Sequence, residues 1–246
     1  MAGILERYGI KEVADVMFLE INEDSTTTPV LFLDTLKVST VDTTADQTEA
    51  RGGKGNSPLI IWDYGKEITL TLQDALYSPK SMAMIYGDNN GIGTMTTVTK
   101  YINYVATSTA APTQIVVPTG YRGANAQVDT TASVKNVYDA SGSTVTTLKS
   151  GDRYIVEYEV TPKNSSVIEI SASSFPGTYK VIGDTYARNQ KTGKDEFFQF
   201  IVHQAKMGAE TTLTLEAEGD PTVFDMTLRV LRPDDGKMME LVQYTI

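Results

Sequence analysis

Apolar side chains on every second residue are the feature of this 246-residue sequence that most restricts its fold. The alternation is clearest at Ile68 to Gln73, Tyr154 to Val160 and Phe224 to Val230. Successive side chains of a strand point to opposite faces, so strict alternation is typical of strands with one packed and one solvated face. Thr and Val are abundant and, being β-branched, suit the same structure. We therefore predict a mainly β fold.

One α-helix interrupts this pattern, at about Ser78 to Tyr86. Ser78 is a good capping residue, Pro79 suits the first helical position, and Gly87 suits the residue after the last turn. The helical spacing of the apolar residues predicts that the helix packs on a sheet through Met82, Ile85 and Tyr86.

Two other segments differ from the alternating strands. Residues 42–58 form a long polar stretch with three Gly, one Pro and charges of both signs, which predicts a long polar loop. Residues 93–151 are rich in Ser, Thr and Ala and carry few charges. We expect 1–92 and 152–246 to form one β domain, with 93–151 as a β insertion or variable region of that domain.

Composition excludes several classes of chemistry. The sequence has no Cys and a single His, His203, so thiolate sites, disulfides and multi-histidine metal sites are excluded. The net charge of −10 argues against general affinity for nucleic acid. The first residues lack the apolar core of a secretory signal, and no apolar run reaches the length of a membrane helix. We expect a soluble protein synthesised in the cytoplasm.

Candidate catalytic and binding motifs fail on spacing. The glycines at 52–55 and 193 lack the complete phosphate-loop pattern, and a lone His203 in a strand is most often structural. Carboxylates could suggest a cation site or a glycosidase pair, but acidic side chains in strands and turns usually form a solvated face; those considered are Glu216, Glu218, Asp220 and Asp225. We predict no catalytic residues, no cofactor, no metal site and no enzymatic activity.

Three segments together resemble a known family. They are 48–73, which contains TEARGGKGN and LIIWDYGKE, then 175–196, which contains FPGTYKVIGDT and TGKDE, and 213–225, LTLEAEGDPTVFD. In this order they resemble the major tail proteins, or tail tube proteins, of tailed bacteriophages. The resemblance covers much of the chain outside 93–151.

The resemblance implies a β-sandwich or β-barrel subunit of the tail-tube type. Such subunits assemble into rings, typically hexameric, that stack into a tube through which DNA is ejected without specific binding. The implied partners are copies of the same chain and other tail proteins: the tape measure protein, the tail terminator and, in contractile tails, a sheath protein. The implied location is the tail of the virion.

In such families a long polar loop contacts neighbouring subunits or the next ring. That role is carried here onto Thr48, Glu49, Ala50, Arg51, Gly52, Gly53, Lys54, Gly55 and Asn56. Trp62 and Tyr64 are either packed within the chain or part of a subunit contact, since aromatic residues are enriched at interface cores. An alternative function is a phage decoration protein or a receptor- or carbohydrate-binding β module.

Overall fold

The computed structural model describes residues 7–88, 92–111, 115, 133–215 and 222–245. Its contacts divide the chain into two compact units: Met1–Ile92 with Ile168–Ile246, and Gly93–Val167. The described elements of the larger unit are β1 (Tyr8–Ile10), β2 (Asp15–Ile21), β3 (Thr27–Leu33), β4 (Leu36–Gly52), β5 (Ser57–Asp74), α1 (Pro79–Tyr86), β9 (Thr178–Asn189), β10 (Asp195–Met207), β11 (Phe224–Val230) and β12 (Met239–Tyr244). Those of the smaller unit are β6 (Val98–Val105), β7 (Ser133–Tyr138) and β8 (Arg153–Val160).

The larger unit is built on one antiparallel sheet of nine strands. The strands are hydrogen-bonded in the order β3-β2-β9-β10-β11-β5-β4, with β1 also beside β9 and β12 also beside β10. Strand β10 pairs with β12 from Phe197 to Val202 and with β11 from Ala205 to Met207, and its register against β9 shifts between these two stretches. The predicted mainly β fold, consistent with a β-sandwich, is confirmed.

A single hydrophobic core joins both ends of this sheet. Phe18 of β2 and Leu33 of β3 belong to the same buried cluster as Leu70 of β5 and Leu228 of β11. Strands at opposite ends of the hydrogen-bonded order share a core only if the sheet curves and packs on itself. The alternation predicted for 68–73 and 224–230 is seen directly, because Ile68, Leu70 and Leu72 of β5 and Met226, Leu228 and Val230 of β11 enter this core.

The helix confirms the predicted position and caps. Ser78 accepts a hydrogen bond from the backbone N–H of Ser81, whose own hydroxyl accepts from the N–H of Ser78, so the first turn is closed at both positions. Gly87 ends the helix with φ 73°, and a Cβ there would lie 2.4 Å from the backbone of Phe175. The predicted packing face is partly wrong, since Met84 is buried with Ile85.

The smaller unit has its own sheet and core. Its strands pair in the order β6-β8-β7, all antiparallel. Tyr154, Val156 and Tyr158 of β8 lie in a separate buried cluster with Val137 of β7. Strand β8 is the central strand of this sheet, and the compact unit runs from Gly93 to Val167.

The predicted long polar loop at 42–58 is wrong over most of its length. Residues up to Gly52 continue β4, and Ser57 already begins β5, so only four residues form a turn. The polar, glycine-containing composition of this segment suggested a loop. The segment is instead a hairpin with both faces exposed, in which strand pairing satisfies the backbone without burial of a core face.

Candidate assembly interface

A long β-hairpin extends from one edge of the sheet of the larger unit. Strand β11 pairs with β5 only over residues 69–74, whereas β4 continues beside β5 from the Thr44–Glu67 pair to the Gly52–Ser57 pair. We call residues 44–67 the arm. The arm contains nine residues of β4, separated by eight steps of roughly 3.3 Å, so it is about 26 Å long.

The tip of the arm is a four-residue turn, Gly53 to Asn56. Gly53, Gly55 and Asn56 have φ of 79°, 90° and 52°, values that glycine adopts without strain and that asparagine tolerates better than most residues. The N–H of Asn56 donates to the carbonyl of Gly53 across 3.2 Å. The glycines that resemble a phosphate loop in the sequence therefore close a hairpin.

A β-bulge marks the base of the arm. Between the Thr44–Glu67 and Asp46–Tyr64 pairs, β5 contains one residue more than β4. Gly65 lies in this interval with φ 60°, and a Cβ there would lie 3.1 Å from the carboxylate of Asp46. Bulges of this kind bend a strand and increase its twist, so Gly65 changes the direction of the arm where it leaves the sheet.

One face of the arm is an exposed apolar stripe. Ile60, Trp62 and Tyr64 are successive residues on the same side of β5, with 53%, 51% and 55% of their surface exposed. They pair with the small or polar residues Ala50, Thr48 and Asp46 of β4, which do not cover them.

The opposite face of the arm mixes apolar and polar groups. Leu59 and Ile61 are exposed there. The amide of Gln47 donates to the carboxylate of Asp63 across 2.7 Å. The guanidinium of Arg51 also contacts Glu49. These polar pairs hold the two strands in register while leaving apolar surface on both faces.

All the residues predicted to form subunit contacts lie on the arm. Thr48 to Gly52 end β4, Gly53 to Asn56 form the turn, and Trp62 and Tyr64 belong to the apolar stripe. Trp62 and Tyr64 are half exposed, so packing within the core of the chain is excluded for both.

Sequence reasoning missed Leu59, Ile60 and Ile61 as candidate contact residues. The available signal was the unbroken run Leu-Ile-Ile-Trp, which lacks alternation. Continuous apolar runs are typical of strands covered on both faces. In the described part of this chain the run is exposed on both faces.

The sheet also has two free ends. Strand β3 ends the hydrogen-bonded order on one side and β4 on the other, so each presents an outer row of backbone groups without a strand partner in the described part of the chain. Such rows pair readily with strands of another chain unless they are covered.

Groups suited to catalysis or metal binding are scattered in the described residues. The Nε2 of His203 is buried 3.4 Å from a carboxylate oxygen of Glu240, and among the described residues no hydroxyl group is hydrogen-bonded to it as a triad requires. Asp225 is on an exposed face of β11, whereas Glu216, Glu218 and Asp220 lie outside the described residues. Across 7–88, 92–111, 115, 133–215 and 222–245, no three His, Cys, Asp or Glu residues form a group able to hold a metal ion.

A comparison of the sequence with protein-family models shows which family the chain belongs to. The family model of the YomU/Tube proteins matches residues 8–243, which is nearly the whole chain. The chain belongs to the YomU/Tube protein family. The predicted membership of a phage tube protein family is confirmed. The proteins of such a family are structural proteins. No curated protein matches the chain. In its described part, no helix of this YomU/Tube protein is long and apolar enough to cross a membrane.

Proposed function

We propose that the chain is the subunit of a phage tail tube, and that copies of it form stacked hexameric rings around a channel for DNA ejection. The single observation that carries this proposal is the arm. It presents apolar side chains on both faces, and these side chains are exposed in the described part of the chain.

The arm is suited to contact a second copy of the chain. A ring uses head-to-tail contacts, in which each copy supplies a projecting element and receives that of its neighbour. Covering a half-exposed aromatic or large aliphatic side chain contributes about 1 kcal/mol. Five such side chains on one arm supply roughly 5 kcal/mol for each contact; they are Leu59, Ile60, Ile61, Trp62 and Tyr64.

The free ends of the sheet suggest how a ring is closed. If the outer edge of β3 in one copy pairs with the outer edge of β4 in the next, the unpaired backbone groups at both ends find partners. Repeating this step around a ring leaves no free edge. The arm then contacts the neighbouring copy or the next ring, which is the role expected for Thr48 to Asn56.

The charge of the protein suits a channel for DNA. Six copies with a net charge of −10 each carry −60 per ring. A negative wall repels phosphate groups and lets DNA pass without binding. Location in the virion tail and contacts with the tape measure, terminator and sheath proteins follow from the same proposal.

The test is self-assembly of purified protein, measured as the critical concentration in a sedimentation assay with electron microscopy of the pellet. We expect rings or tubes with a central channel from the unaltered protein. The double variant Trp62→Ala with Tyr64→Ala should raise the critical concentration at least about tenfold, since 1.4 kcal/mol corresponds to a factor of ten.

Tyr77→Ala is the matched control, because Tyr77 is 62% exposed in the same unit but lies outside the arm. It should assemble like the unaltered protein, and all variants should keep the same melting temperature within a few degrees. A solution that contains only monomers at millimolar concentration, or an equal loss of assembly in Tyr77→Ala, would refute the proposal.

A further inference from the structure

One face of the three-stranded sheet in the smaller unit carries exposed or half-buried side chains in the described residues. Tyr101 and Asn103 of β6 point to this face, as do Ile155 and Glu157 of β8. In the register, Tyr101 pairs with Glu157, and Asn103 pairs with Ile155. On the other side of β8, Asn136 and Tyr138 of β7 pair with the same two residues. The face therefore carries two cross-strand rows that mix aromatic, amide and carboxylate groups.

The polar groups of this face are held in place by one carboxylate. Glu157 accepts a hydrogen bond from the Asn136 amide and another from the Tyr138 hydroxyl, each 2.8 Å long. The Asn136 hydrogen bond, followed by that of Tyr138, lowers the pKa of Glu157, so the carboxylate stays charged in mildly acidic solution. A network of this kind fixes the side chains before any ligand arrives.

An exposed ring and a cavity lie next to this network. Tyr101 is 62% exposed although it stands in the middle of a strand. A cavity of about 340 Å³ opens at Asn103, which is two residues from Tyr101 on the same face of β6. The cavity is also lined by Arg153 and Ile155 of the sheet and by the turn that begins at Asp139. This volume falls in the range of small-molecule sites.

Free hydrogen-bonding groups reach the cavity. In the described part of the chain, neither the Asn103 amide nor the Arg153 guanidinium has a side-chain hydrogen bond or ion pair. The Asp139 carboxylate is already occupied, since it accepts from both the N–H and the hydroxyl of Ser141. The cavity thus offers N–H donors, and one of them, Asn103, lies two residues along β6 from the exposed ring of Tyr101.

The charges of the face argue against a polyanion or another protein as the ligand. Lys135 and Arg153 offset Glu157 and Glu159, and Lys135 forms an ion pair of 2.9 Å with Glu159. A balanced face creates no field that attracts nucleic acid. Polar groups also interrupt the exposed apolar residues, whereas protein interfaces have apolar centres depleted of charge.

We propose that this face of the smaller unit binds a neutral saccharide, with Tyr101 as the stacking platform and Asn103 and Arg153 as donors to ring hydroxyls. The C–H groups on one side of a pyranose ring carry partial positive charge and are attracted to the negative face of an aromatic ring. The hydroxyls around the ring edge match the donors of the cavity. This binding is independent of tube assembly.

Affinity electrophoresis of the full-length protein tests the proposal, since a net charge of −10 moves it through a native gel. The gels contain soluble starch, dextran, mannan or glycol chitin as neutral polysaccharides, or alginate as an anionic one. We expect at least one neutral polysaccharide to retard the protein and alginate not to do so. Tyr101→Ala should weaken the retardation at least tenfold, whereas Tyr101→Phe should stay within about threefold because the ring remains.

Tyr77→Ala is the matched control, since Tyr77 has the same 62% exposure as Tyr101 but belongs to the larger unit. It should bind as tightly as the unaltered protein. Migration unaffected by all four neutral polysaccharides overturns the proposal without any variant. Equal weakening by Tyr101→Ala and Tyr77→Ala, or retardation by alginate alone, also overturns it. Loss of assembly in the arm variants has no bearing on this result.

Discussion

The guanidinium of Arg188 meets the carboxylate of Asp195 through two parallel hydrogen bonds, each 2.6 Å long. The two residues are directly paired across β9 and β10, next to the turn that joins these strands. Bidentate pairs of this type have defined geometry, but both side chains are exposed, so the pair adds little to stability. Its clear consequence is electrostatic: the hydrogen bond with Arg188 lowers the pKa of Asp195 below the ordinary value of 3.8.

We expect Arg188→Gln to raise the pKa of Asp195 toward 3.8, because the replacement removes the charge and the paired donors. The folded pKa is the lower one, so the pair stabilises the protein fully above the unfolded pKa and loses this effect as the pH falls through the folded pKa. Carboxyl-carbon NMR titration of the monomer measures the shift. An identical titration midpoint in both proteins would contradict the assignment.

At the scale of single elements, the arm is the part of the fold that local sequence rules describe least well. A ribbon exposed on both faces has no packed side, so it shows no alternation of apolar and polar residues. The Gly-rich turn and the charges of its first strand then resemble a loop. The helix was predictable because its caps, Ser78 and Gly87, are local signals. Its packing face was less so, since the sheet decides it.

Replacing residues 44–67 with an Asn-Gly turn between Thr43 and Ile68 tests the arm as one element. Thr43 and Ile68 are paired across the strands, and a two-residue turn of this composition closes such a hairpin. We expect a folded monomer with a melting temperature within a few degrees of the full chain. The reason is that no residue of the buried core lies within 44–67, and the first core residue of β5 is Ile68. We also expect no rings or tubes.

Circular dichroism on heating and sedimentation measure these two outcomes. A shortened protein that still forms tubes would show that assembly uses other surfaces. A shortened protein that unfolds at a much lower temperature would instead assign the arm a role in the stability of the single copy.

At the scale of the whole molecule, the chain enters and leaves the smaller unit at neighbouring points. Gly93 and Val167 exchange two backbone hydrogen bonds, each 2.9 Å long. Ser165 also bonds to the backbone of Met95. The end of this unit was hard to predict, because the alternation in β8 shows that one face is packed but does not say which strands it joins. The partners of β8 are set by pairing between distant parts of the chain, which local sequence patterns do not predict.

Excision of 93–167, with a linker of about four Gly and Ser residues joining Ile92 to Ile168, should leave the larger unit folded. Every residue of its buried cluster lies outside the excised range. We expect a single cooperative unfolding transition in calorimetry and assembly at a similar critical concentration. A broad transition, or aggregation on expression, would show that the larger unit requires the smaller one.

The paired backbone at Gly93 and Val167 has a consequence for how such a chain can evolve. A segment whose two ends are already side by side adds little loop-closure entropy when its length changes. Mutation can therefore lengthen, shorten or exchange the segment between Gly93 and Val167 without remodelling the strands before and after it. Changes of sequence are tolerated in that segment, whereas the residues of the larger unit must continue to pack in their shared core.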